Sequence, residues 1–519
     1  MRTARLRGDT MGFVKAVGKE IQLNDKPILL RGFGLGGWLL PEGYMWKLYG
    51  KCDRPRRMEA LIEKLCGKAY ATSFWQSYFD RYITYWDMEL IKSQGFNSIR
   101  LPLNARHLKE ECTLAHIDDL VAWCKKLGLL VILDMHGAPG GQTGTNIDDS
   151  ERDLPELFEN DAYQQELIDL WRMLACRYKD ETAVAGYDLF NEPLPEWFSK
   201  YNTLVLPLYR KLTHAIREVD KNHMIIVEGV HWATDFSIFE VLESEPLDDN
   251  CMLQFHKYWS NPDKESILPY LDLRERLNMP LFMGEGGENN LSWYTAVFPL
   301  YERENISWSF WSYKKMDCRN SPITFPVPAA WETLIQHLDG ELQLSSEQAQ
   351  RIFDAFLHAV ATPMVNQDVF CALNRKAPFI IPAEHYDAYK AASNRIPGAD
   401  YRMTDGLTIQ FLNGKKGQPD FKRYGGEEQP EEENLVLRLR PFDSAAYHFS
   451  SDKDCSIILS AAGPGHLSLR AGDWQQHITL LDGWGRYTAN VLKANIDNTE
   501  LCVTCEAGDI MLDDIKFKN

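Results

Sequence analysis

The chain has 519 residues, 45% hydrophobic and 25% charged, a composition that is typical of globular domains and excludes collagen-like repeats and wholesale disorder. Its formal net charge is −18. Because such an acidic surface repels nucleic-acid phosphate and anionic lipid, we expect neither nucleic acid nor a membrane as a partner. At about 150 residues per domain, the length predicts more than one domain.

The N-terminal segment up to Glu20 carries positive charge but no apolar stretch, so we expect no secretory signal. The 11 cysteines show no paired spacing, which indicates free thiols in a reducing compartment. Both features predict a cytoplasmic protein.

From Pro27 to about Leu338, short apolar strands alternate with amphipathic helical segments, a pattern of repeated βα units. The predicted strands are 28–34, 96–103, 129–137, 184–193, 223–230, 251–258, 280–287 and 306–314. Eight such units close a (β/α)₈ TIM barrel. We therefore predict an α/β catalytic domain over residues 1–375, with its core at about 25–345.

A further helix is predicted at 346–361, after which the pattern changes. From Phe379 onward, short β-rich runs are separated by Gly, Pro, Asn and Asp, which predicts an antiparallel β-sandwich within residues 376–519. The acidic segment 425–434 of this part is predicted to be a solvated loop.

The Gly-rich segment 32–37 contains the spacing G-x-G-x-x-G directly after a strand. A dinucleotide site requires this motif to open a helix, so that the amide dipoles meet the pyrophosphate. Here Trp38-Leu39-Leu40-Pro41 follows instead. We do not expect a nucleotide cofactor.

Chemistry-bearing residues recur at the carboxyl ends of the predicted strands, where parallel barrels place their active sites. The strongest pair is Glu192, in an Asn-Glu-Pro sequence, and Glu285, three strands later. Two carboxylates that face each other across a substrate suit glycoside cleavage, one protonated and one ionised. The alternative is that both are capping or ion-paired glutamates.

The barrel part resembles glycoside hydrolase family 5, whose members are retaining enzymes that act on β-linked sugars. The resemblance covers about residues 20–345. It rests on eight residues in the family's order, namely Arg100, His136, Asn191, Glu192, His256, Tyr258, Glu285 and Trp311.

The resemblance implies that Glu285 is the nucleophile and Glu192 the general acid/base. We expect Arg100 to keep Glu285 ionised, Tyr258 to donate a hydrogen bond to Glu285, and Asn191 to bind the sugar 2-hydroxyl. His136 and His256 are expected to line the sugar-binding cleft. Trp311 is expected to form a hydrophobic surface under the sugar.

Other assignments concern the cleft walls. Trp38, Glu42 and Trp46 lie in a segment that resembles exo-acting β-glucanases of the family. For these residues, contact with substrate and packing in the core are both open. Trp38 is included among the substrate-binding residues. Glu228 is a rival carboxylate at a strand end, and we expect it and Trp232 to line the cleft.

The C-terminal part resembles the β-sandwich carbohydrate-binding modules of families 6 and 35 in the segments 381–389 and 508–517. In that group a glutamate of the first segment and an aspartate of the last can hold a structural calcium. Glu384 and Asp513, or Asp514, are the matching residues here. A role in glycan binding and a role in bracing the barrel both remain open.

Together these features predict a retaining glycoside hydrolase that needs no cofactor and no metal for chemistry. We expect exo-action on short β-glucosides or related oligosaccharides. β-Mannosidase, β-galactosidase and arabinosidase specificities are alternatives on the same scaffold, as is a non-catalytic carbohydrate-binding protein. A metal-dependent barrel hydrolase is a third class, but the sequence lacks an H-x-H pair in the barrel strands.

Overall fold

The computed structural model describes residues 12–492 and 496–519. Residues 1–11, on which much of the expectation about a secretory signal rests, lie outside the described residues. Within the described part, every helix is too short or too polar to cross a bilayer.

A closed barrel of eight parallel strands forms the larger part of the molecule, as predicted. Its strands are Arg31–Gly34 (β4), Ser98–Asn104 (β5), Leu130–Gly137 (β6), Val184–Asp188 (β7), Met224–Glu228 (β8), Cys251–His256 (β9), Leu281–Gly287 (β10) and Ser307–Trp311 (β11). They are preceded by an antiparallel meander of Val14–Val17 (β1), Glu20–Leu23 (β2) and Lys26–Pro27 (β3). The barrel closes by pairing of β11 with β4.

Alternate residues of a strand point to the same face, so the side chains that point into the barrel can be followed from the amino end to the carboxyl end of each strand. On β6, Leu130 and Ile132 belong to an apolar cluster inside the barrel, which also contains Val14 and Ile21 of the meander. Two residues further along, Asp134 and then His136 follow on the same face of β6. The lower interior is therefore apolar, and polar side chains converge above it at the carboxyl ends of the strands.

Helices surround the barrel and follow it in the chain. They are Pro55–Cys66, Lys68–Tyr82, Tyr85–Ser93, Glu111–Leu127, Asp161–Tyr178, Asn202–Val219, Val230–Ala233, Leu268–Leu277, Leu291–Arg303, Trp331–Leu338, Ser346–Val360 and Gln367–Asn374. Several begin at a polar N-cap; the Asn160 side chain, for instance, accepts a 2.9 Å hydrogen bond from Ala162 N.

One predicted strand, 184–193, ends earlier than expected. β7 stops at Asp188, and Glu192 adopts a left-handed backbone conformation with φ 45°, which is incompatible with a continuing strand. Asn191 and Glu192 therefore lie on the loop that leaves β7 and not on the strand itself.

A small sheet of Lys314–Met316, Ile323–Phe325 and Met364–Val365 follows the barrel. The C-terminal part then folds into two antiparallel sheets, as predicted. The larger contains Phe379–Pro382, Thr408–Phe411, Leu435–Leu439, Cys455–Ala462, Trp484–Leu492 and Ile510–Lys518. The smaller contains Ala388–Lys390, Ser444–Ser451, Gly465–Ala471, Trp474–Leu480 and Ile496–Gly508.

Barrel and sandwich meet at a buried carboxylate, Asp387. It accepts hydrogen bonds from Arg303, the last residue of a barrel helix, and from Arg375, which ends the helix leading to the sandwich. Its side chain is 2% exposed. One ion cluster thus joins the two parts of the chain.

Candidate active site

Arg100 on β5 is the centre of the polar group above the apolar interior. Its guanidinium donates to Asp188 at 2.9 Å, to Asn191 at 2.7 Å and to Glu228 at 3.0 Å, and it also donates to Glu285. The side chain is fully buried. Burial lowers the pKa of Arg100, but the surrounding carboxylates raise it well above its ordinary value, so it is a permanent cation.

Glu285, at the end of β10, is held by donors on both carboxylate oxygens. Arg100 donates to Oε1, and the Tyr258 hydroxyl donates to Oε2 at 3.0 Å. Burial and the charge of Glu285 raise the pKa of Tyr258 well above its usual range, so the phenol keeps its proton. Both carboxylate oxygens of Glu285 thus accept hydrogen bonds, one from a cation and one from a phenol.

Glu192 faces Glu285 from the loop after β7. Its Oε1 lies 2.7 Å from His256 Nδ1, and the same nitrogen lies 3.6 Å from Glu285 Oε2. Burial lowers the pKa of His256, but Glu228, Glu285 and the hydrogen bond to Glu192 raise it well above the usual value. Oxygen atoms of Glu192 and Glu285 lie within 4.8 Å of each other.

Glu228 lies under this pair and not in the cleft wall that we expected it to line. It is fully buried, and its Oε2 accepts a 2.6 Å hydrogen bond from the backbone N–H of Glu192. Its Oε1 accepts from Arg100 and from Gln254 Nε2. Glu228 therefore fixes the backbone of Glu192 and the position of Arg100.

Trp311, at the end of β11, stacks on His136 with ring centroids 5.2 Å apart and planes at 7°. A Cβ at Gly34 would lie 2.5 Å from the Trp311 ring, and one at Gly36 would lie 2.7 Å from it. Only glycine leaves room for the indole at these two positions. The Gly-rich segment 32–37 thus accommodates Trp311.

A second polar cluster borders Trp311. Its indole Nε1 donates to the Tyr44 hydroxyl at 3.1 Å, and Tyr44 donates to Glu288 at 3.0 Å. Lys315 Nζ donates to the same carboxylate at 2.6 Å. Glu42 lies near this cluster, and its Oε1 is buried without a hydrogen-bond partner among the described residues. Burial and the charges of Glu285, Glu288 and Glu192 raise the pKa of Glu42 well above its usual value.

The structure does not bring Trp38 to the site. Its ring is 1% exposed, its Nε1 donates to Phe79 O at 2.8 Å, and it meets His116 edge to face. Trp46 is likewise packed in the core against Trp75. The assignment of Trp38 to substrate binding is corrected accordingly: a tryptophan after β4 finds its partners among the outer helices, whereas Glu42 approaches the carboxylate pair.

Trp232 follows β8 and is half-buried. Its ring meets Trp197 with centroids 5.8 Å apart, and Trp197, which follows Glu192 in the chain, is 67% exposed. Both rings therefore lie on loops that leave the carboxyl ends of the strands, on the side of Glu192.

Sequence reasoning missed Asp134, Asp188 and Gln254. Asp134 Oδ2 lies 2.8 Å from His136 Nδ1, and Gln254 Nε2 lies 3.0 Å from His256 Nε2. Asp134 and Gln254 each precede a predicted histidine by two positions on the same strand. Because alternate residues share a face, this spacing was a usable signal. Burial and the charge of Glu228 raise the pKa of Asp188 well above its usual value.

Two triads could in principle hold a metal: Asp134 with His136 and Glu285, and Glu192 with His256 and Glu285. Arg100, however, lies 3.2 Å from Asp134 and donates to Glu285. A buried guanidinium therefore already supplies the positive charge between these carboxylates, which makes the triads poor cation ligands.

In the sandwich, Glu384 is buried, and its Oε2 has no hydrogen-bond partner among the described residues. Burial raises the pKa of Glu384 well above its usual value, and the charges of Asp513 and Asp514 raise it further. The charges of Asp513 and Asp514 thus act on Glu384, although these three carboxylates do not form one of the groups of possible metal ligands, among the described residues, whose ligand atoms all lie within 4.8 Å of one another. The donor set, hard oxygens with an excess of negative charge, fits calcium.

Residues 66–317 match the cellulase family, glycosyl hydrolase family 5. A β-xylosidase of Phanerodontia chrysosporium is 28% identical over 347 residues, which cover 59% of this chain and 71% of that protein. Endoglucanase C of Acetivibrio thermocellus is 26% identical over 313 residues, 47% of this chain and 88% of that protein. A probable glucan 1,3-beta-glucosidase A of Aspergillus fumigatus is 24% identical over 241 residues, 44% of this chain and 57% of that protein.

The closed barrel and these matches define a glycoside hydrolase. Over residues 66–317 its barrel is similar to the cellulase-like glycosyl hydrolase family 5. The expected class of enzyme is thereby confirmed. The β-sandwich is present, whereas its resemblance to carbohydrate-binding modules stays a prediction.

Proposed function

We propose that the protein is a retaining, exo-acting β-glycosidase for short β-glucosides or related oligosaccharides. The observation that carries the proposal is the proximity of the two glutamates, since one carboxylate oxygen of Glu192 lies within 4.8 Å of one carboxylate oxygen of Glu285. Retaining enzymes hold their carboxyl groups about 5–5.5 Å apart, whereas inverting enzymes need about 6.5–9.5 Å to admit a water molecule. The short separation favours a covalent intermediate.

In the proposed mechanism Glu285 attacks the anomeric carbon while Glu192 protonates the leaving oxygen. Glu192 then removes a proton from water, which attacks the anomeric carbon and releases the sugar from Glu285. The donors on Glu285, Arg100 and Tyr258, suit a nucleophile that must stay ionised. No step requires a metal.

The sugar that is attacked would lie against Trp311, whose ring is fixed by stacking on His136. The Oδ1 of Asn191 is occupied by Arg100 at 2.7 Å, while its Nδ2 lies 3.5 Å from His136 Nε2. This amide group is therefore oriented with its N–H atoms available to the 2-hydroxyl, a contact that strengthens in the transition state.

The exo preference rests on the cluster of Glu42, Tyr44, Glu288 and Lys315 beside Trp311. Charged and hydroxyl groups at this place suit recognition of the terminal hydroxyls of a sugar and block a longer chain on that side. Gluco, manno, galacto and arabino substrates differ in the hydroxyl groups with which such a cluster would form hydrogen bonds. Endoglucanase action, the activity named for one relative, is the alternative.

For the sandwich we propose a fold of the carbohydrate-binding-module type, with a calcium ion held by Glu384 and Asp513. The unpartnered carboxylate oxygen of Glu384 is the observation that supports it. Burial and the charges of Asp513 and Asp514 raise the pKa of Glu384, and a divalent cation would neutralise the charges of these carboxylates.

The experiment is hydrolysis of a panel of nitrophenyl β-glycosides and short oligosaccharides, with the product anomer followed by NMR. We expect the β-anomer first, and a loss of turnover of at least about a thousandfold in Glu285→Gln and Glu192→Ala. Azide should rescue Glu192→Ala on the nitrophenyl substrate, because that leaving group needs little protonation and the azide anion displaces Glu285 from the anomeric carbon without a general base, giving the β-glycosyl azide. Initial release of the α-anomer, or glycan binding without hydrolysis, would refute the proposal.

A further inference from the structure

One loop of the sandwich contacts the barrel at the face that carries the glutamate pair. We call residues 412–434, between the strands Thr408–Phe411 and Leu435–Leu439, the rim loop. Asn289 Nδ2, which follows β10, donates to Phe421 O at 2.8 Å. Asn320 Nδ2, between the small-sheet strands Lys314–Met316 and Ile323–Phe325, donates to Tyr424 O at 3.3 Å. The rim loop is thus attached to the loop that leaves the carboxyl end of β10 and to the small sheet that follows β11.

The rim loop is also fixed from the sandwich side. Phe421 is 7% exposed, and its ring packs against Tyr401 with centroids 5.2 Å apart. A third amide, Asn290 Nδ2, donates to Glu427 O at 3.2 Å. Because it is held on both sides of Tyr424, the backbone of the rim loop presents that side chain in a defined place.

Tyr424 extends a row of aromatic rings that begins at the nucleophile. Tyr258 donates to Glu285 at 3.0 Å, its ring lies 5.4 Å from that of Trp259, and Trp259 lies 4.4 Å from Tyr424. The Trp259 ring is held by a 2.9 Å hydrogen bond from its Nε1 to Glu288 O. A side chain of the sandwich therefore stands two ring contacts from a residue that binds Glu285.

Tyr424 is 58% exposed although it touches Trp259, and no hydrogen-bond partner of its hydroxyl occurs among the described residues. An ordered ring with one free face and a free hydroxyl suits a pyranose, which stacks its C–H face on the ring and offers hydroxyls to the phenol.

The side of the cleft follows from the proposed roles. Trp259 follows β9, the strand of His256, and His256 Nδ1 lies 2.7 Å from Glu192. The leaving oxygen must lie at the general acid, so the sugar beyond the cleaved bond extends over the loops nearest to Glu192.

We propose that Tyr424, together with Trp259, forms a binding subsite for the leaving-group portion of a β-linked oligosaccharide, so that the sandwich completes the cleft of the barrel. The inference rests on the proposed glycosidase function and adds a specificity-determining residue that lies outside the family match, which ends at residue 317.

The test compares Tyr424→Ala and Tyr424→Phe with the wild type on two substrates of the same sugar: a β-linked trisaccharide and the β-glycosyl fluoride, whose leaving group is a single atom. We expect Tyr424→Ala to raise KM for the trisaccharide about tenfold, with kinetics on the fluoride unchanged, because only the trisaccharide reaches the ring. Tyr424→Phe keeps the ring and should stay within about threefold of the wild type. Tyr389→Ala, at another tyrosine of the sandwich that is 41% exposed, is the matched control.

Binding separates this inference from the proposed function. Calorimetric titration of the trisaccharide into Glu285→Gln, with and without Tyr424→Ala, measures the subsite without turnover, and we expect about tenfold weaker binding in the double variant. Equal losses on both substrates, or unchanged trisaccharide affinity, would overturn the subsite. A wild type that cleaves no glycoside but binds the trisaccharide through Tyr424 would instead overturn the hydrolase and leave the subsite standing.

Discussion

Glu228 accepts a 2.6 Å hydrogen bond from the backbone N–H of Glu192 while it is itself fully buried. The carboxylate that rivals Glu192 in the sequence thus holds Glu192 in its left-handed conformation, with φ 45°. A residue that acts in this way influences turnover without touching substrate.

Replacing Glu228 should therefore lower kcat more than it changes KM. In Glu228→Gln the amide oxygen can serve only part of the donors that Arg100, Gln254 and the Glu192 N–H now supply. We expect kcat to fall about a hundredfold, equivalent to about 2.7 kcal/mol, with KM within about threefold. Steady-state kinetics on a nitrophenyl glycoside measure both, and the exposed Glu240→Gln is the control. A change confined to KM would contradict this role.

Glu42 should act as a neutral hydrogen-bonding group. Burial and three neighbouring carboxylates raise the pKa of Glu42 well above its usual value, which favours the protonated, neutral form of this side chain. Glu42→Gln preserves shape and neutrality and should keep kcat/KM within about threefold. Glu42→Leu removes the polar atoms and should lower it at least tenfold, as expected for one lost hydrogen bond of about 1.4 kcal/mol. An equal decrease in kcat/KM in both variants would show that the ionised form of Glu42 is required.

Asp387 should stabilise the junction of barrel and sandwich in a pH-dependent way. Burial raises the pKa of Asp387, but Arg375, His448 and Arg303 lower it well below its ordinary range. A carboxylate of this kind stabilises the fold above its unfolded pKa of about 3.9, and this contribution is lost as the pH falls from there towards the folded pKa.

In Asp387→Asn the buried Arg375 and the more exposed Arg303 lose their shared partner, which costs about 3 kcal/mol at pH 7. Denaturant unfolding measures the loss, and the difference from the wild type should narrow below about pH 4. Asp452, whose side chain is 74% exposed in its ion pair with Lys376, is the control, and Asp452→Asn should cost less than about 0.5 kcal/mol. A difference that is constant from pH 7 to pH 3 would contradict the assignment.

Calcium should affect stability but not chemistry. If Glu384 and Asp513 bind the ion, EDTA lowers the melting temperature and added Ca²⁺ restores it, because a ligand that binds only the folded state stabilises it. Initial rates at 25 °C should be the same with and without chelator. In Glu384→Gln the calcium dependence of Tm should disappear. Equal melting temperatures of the wild type in EDTA and in Ca²⁺ would rule the site out.

Much of the barrel and its polar centre could be predicted, because strand periodicity and parallel packing bring carboxyl ends together at one face. The positions of Arg100, His136, Glu285 and Trp311 follow from the strands alone and do not depend on the conformation of any loop. Trp38 differs, since its direction depends on the irregular segment after β4, where the helix packing around Phe79 and His116 decides it.

Tyr424 could not be predicted for a related reason. Its place depends on how a sandwich loop docks on asparagines more than a hundred positions away in the chain. Such pairings between distant segments leave no periodic trace in the sequence. The acidic stretch 425–434 was expected to be a solvated loop, yet Asn290 binds Glu427 O within it.

The two glycines behind Trp311 have a consequence for redesign. A Cβ at Gly34 or Gly36 would lie less than 3 Å from the Trp311 indole. A mutant library that varies these two positions would therefore displace the Trp311 ring. Attempts to change the preferred sugar are better aimed at Glu42 and Lys315, and attempts to change the preferred aglycone at Tyr424, which can be varied without disturbing the backbone beneath the reacting sugar.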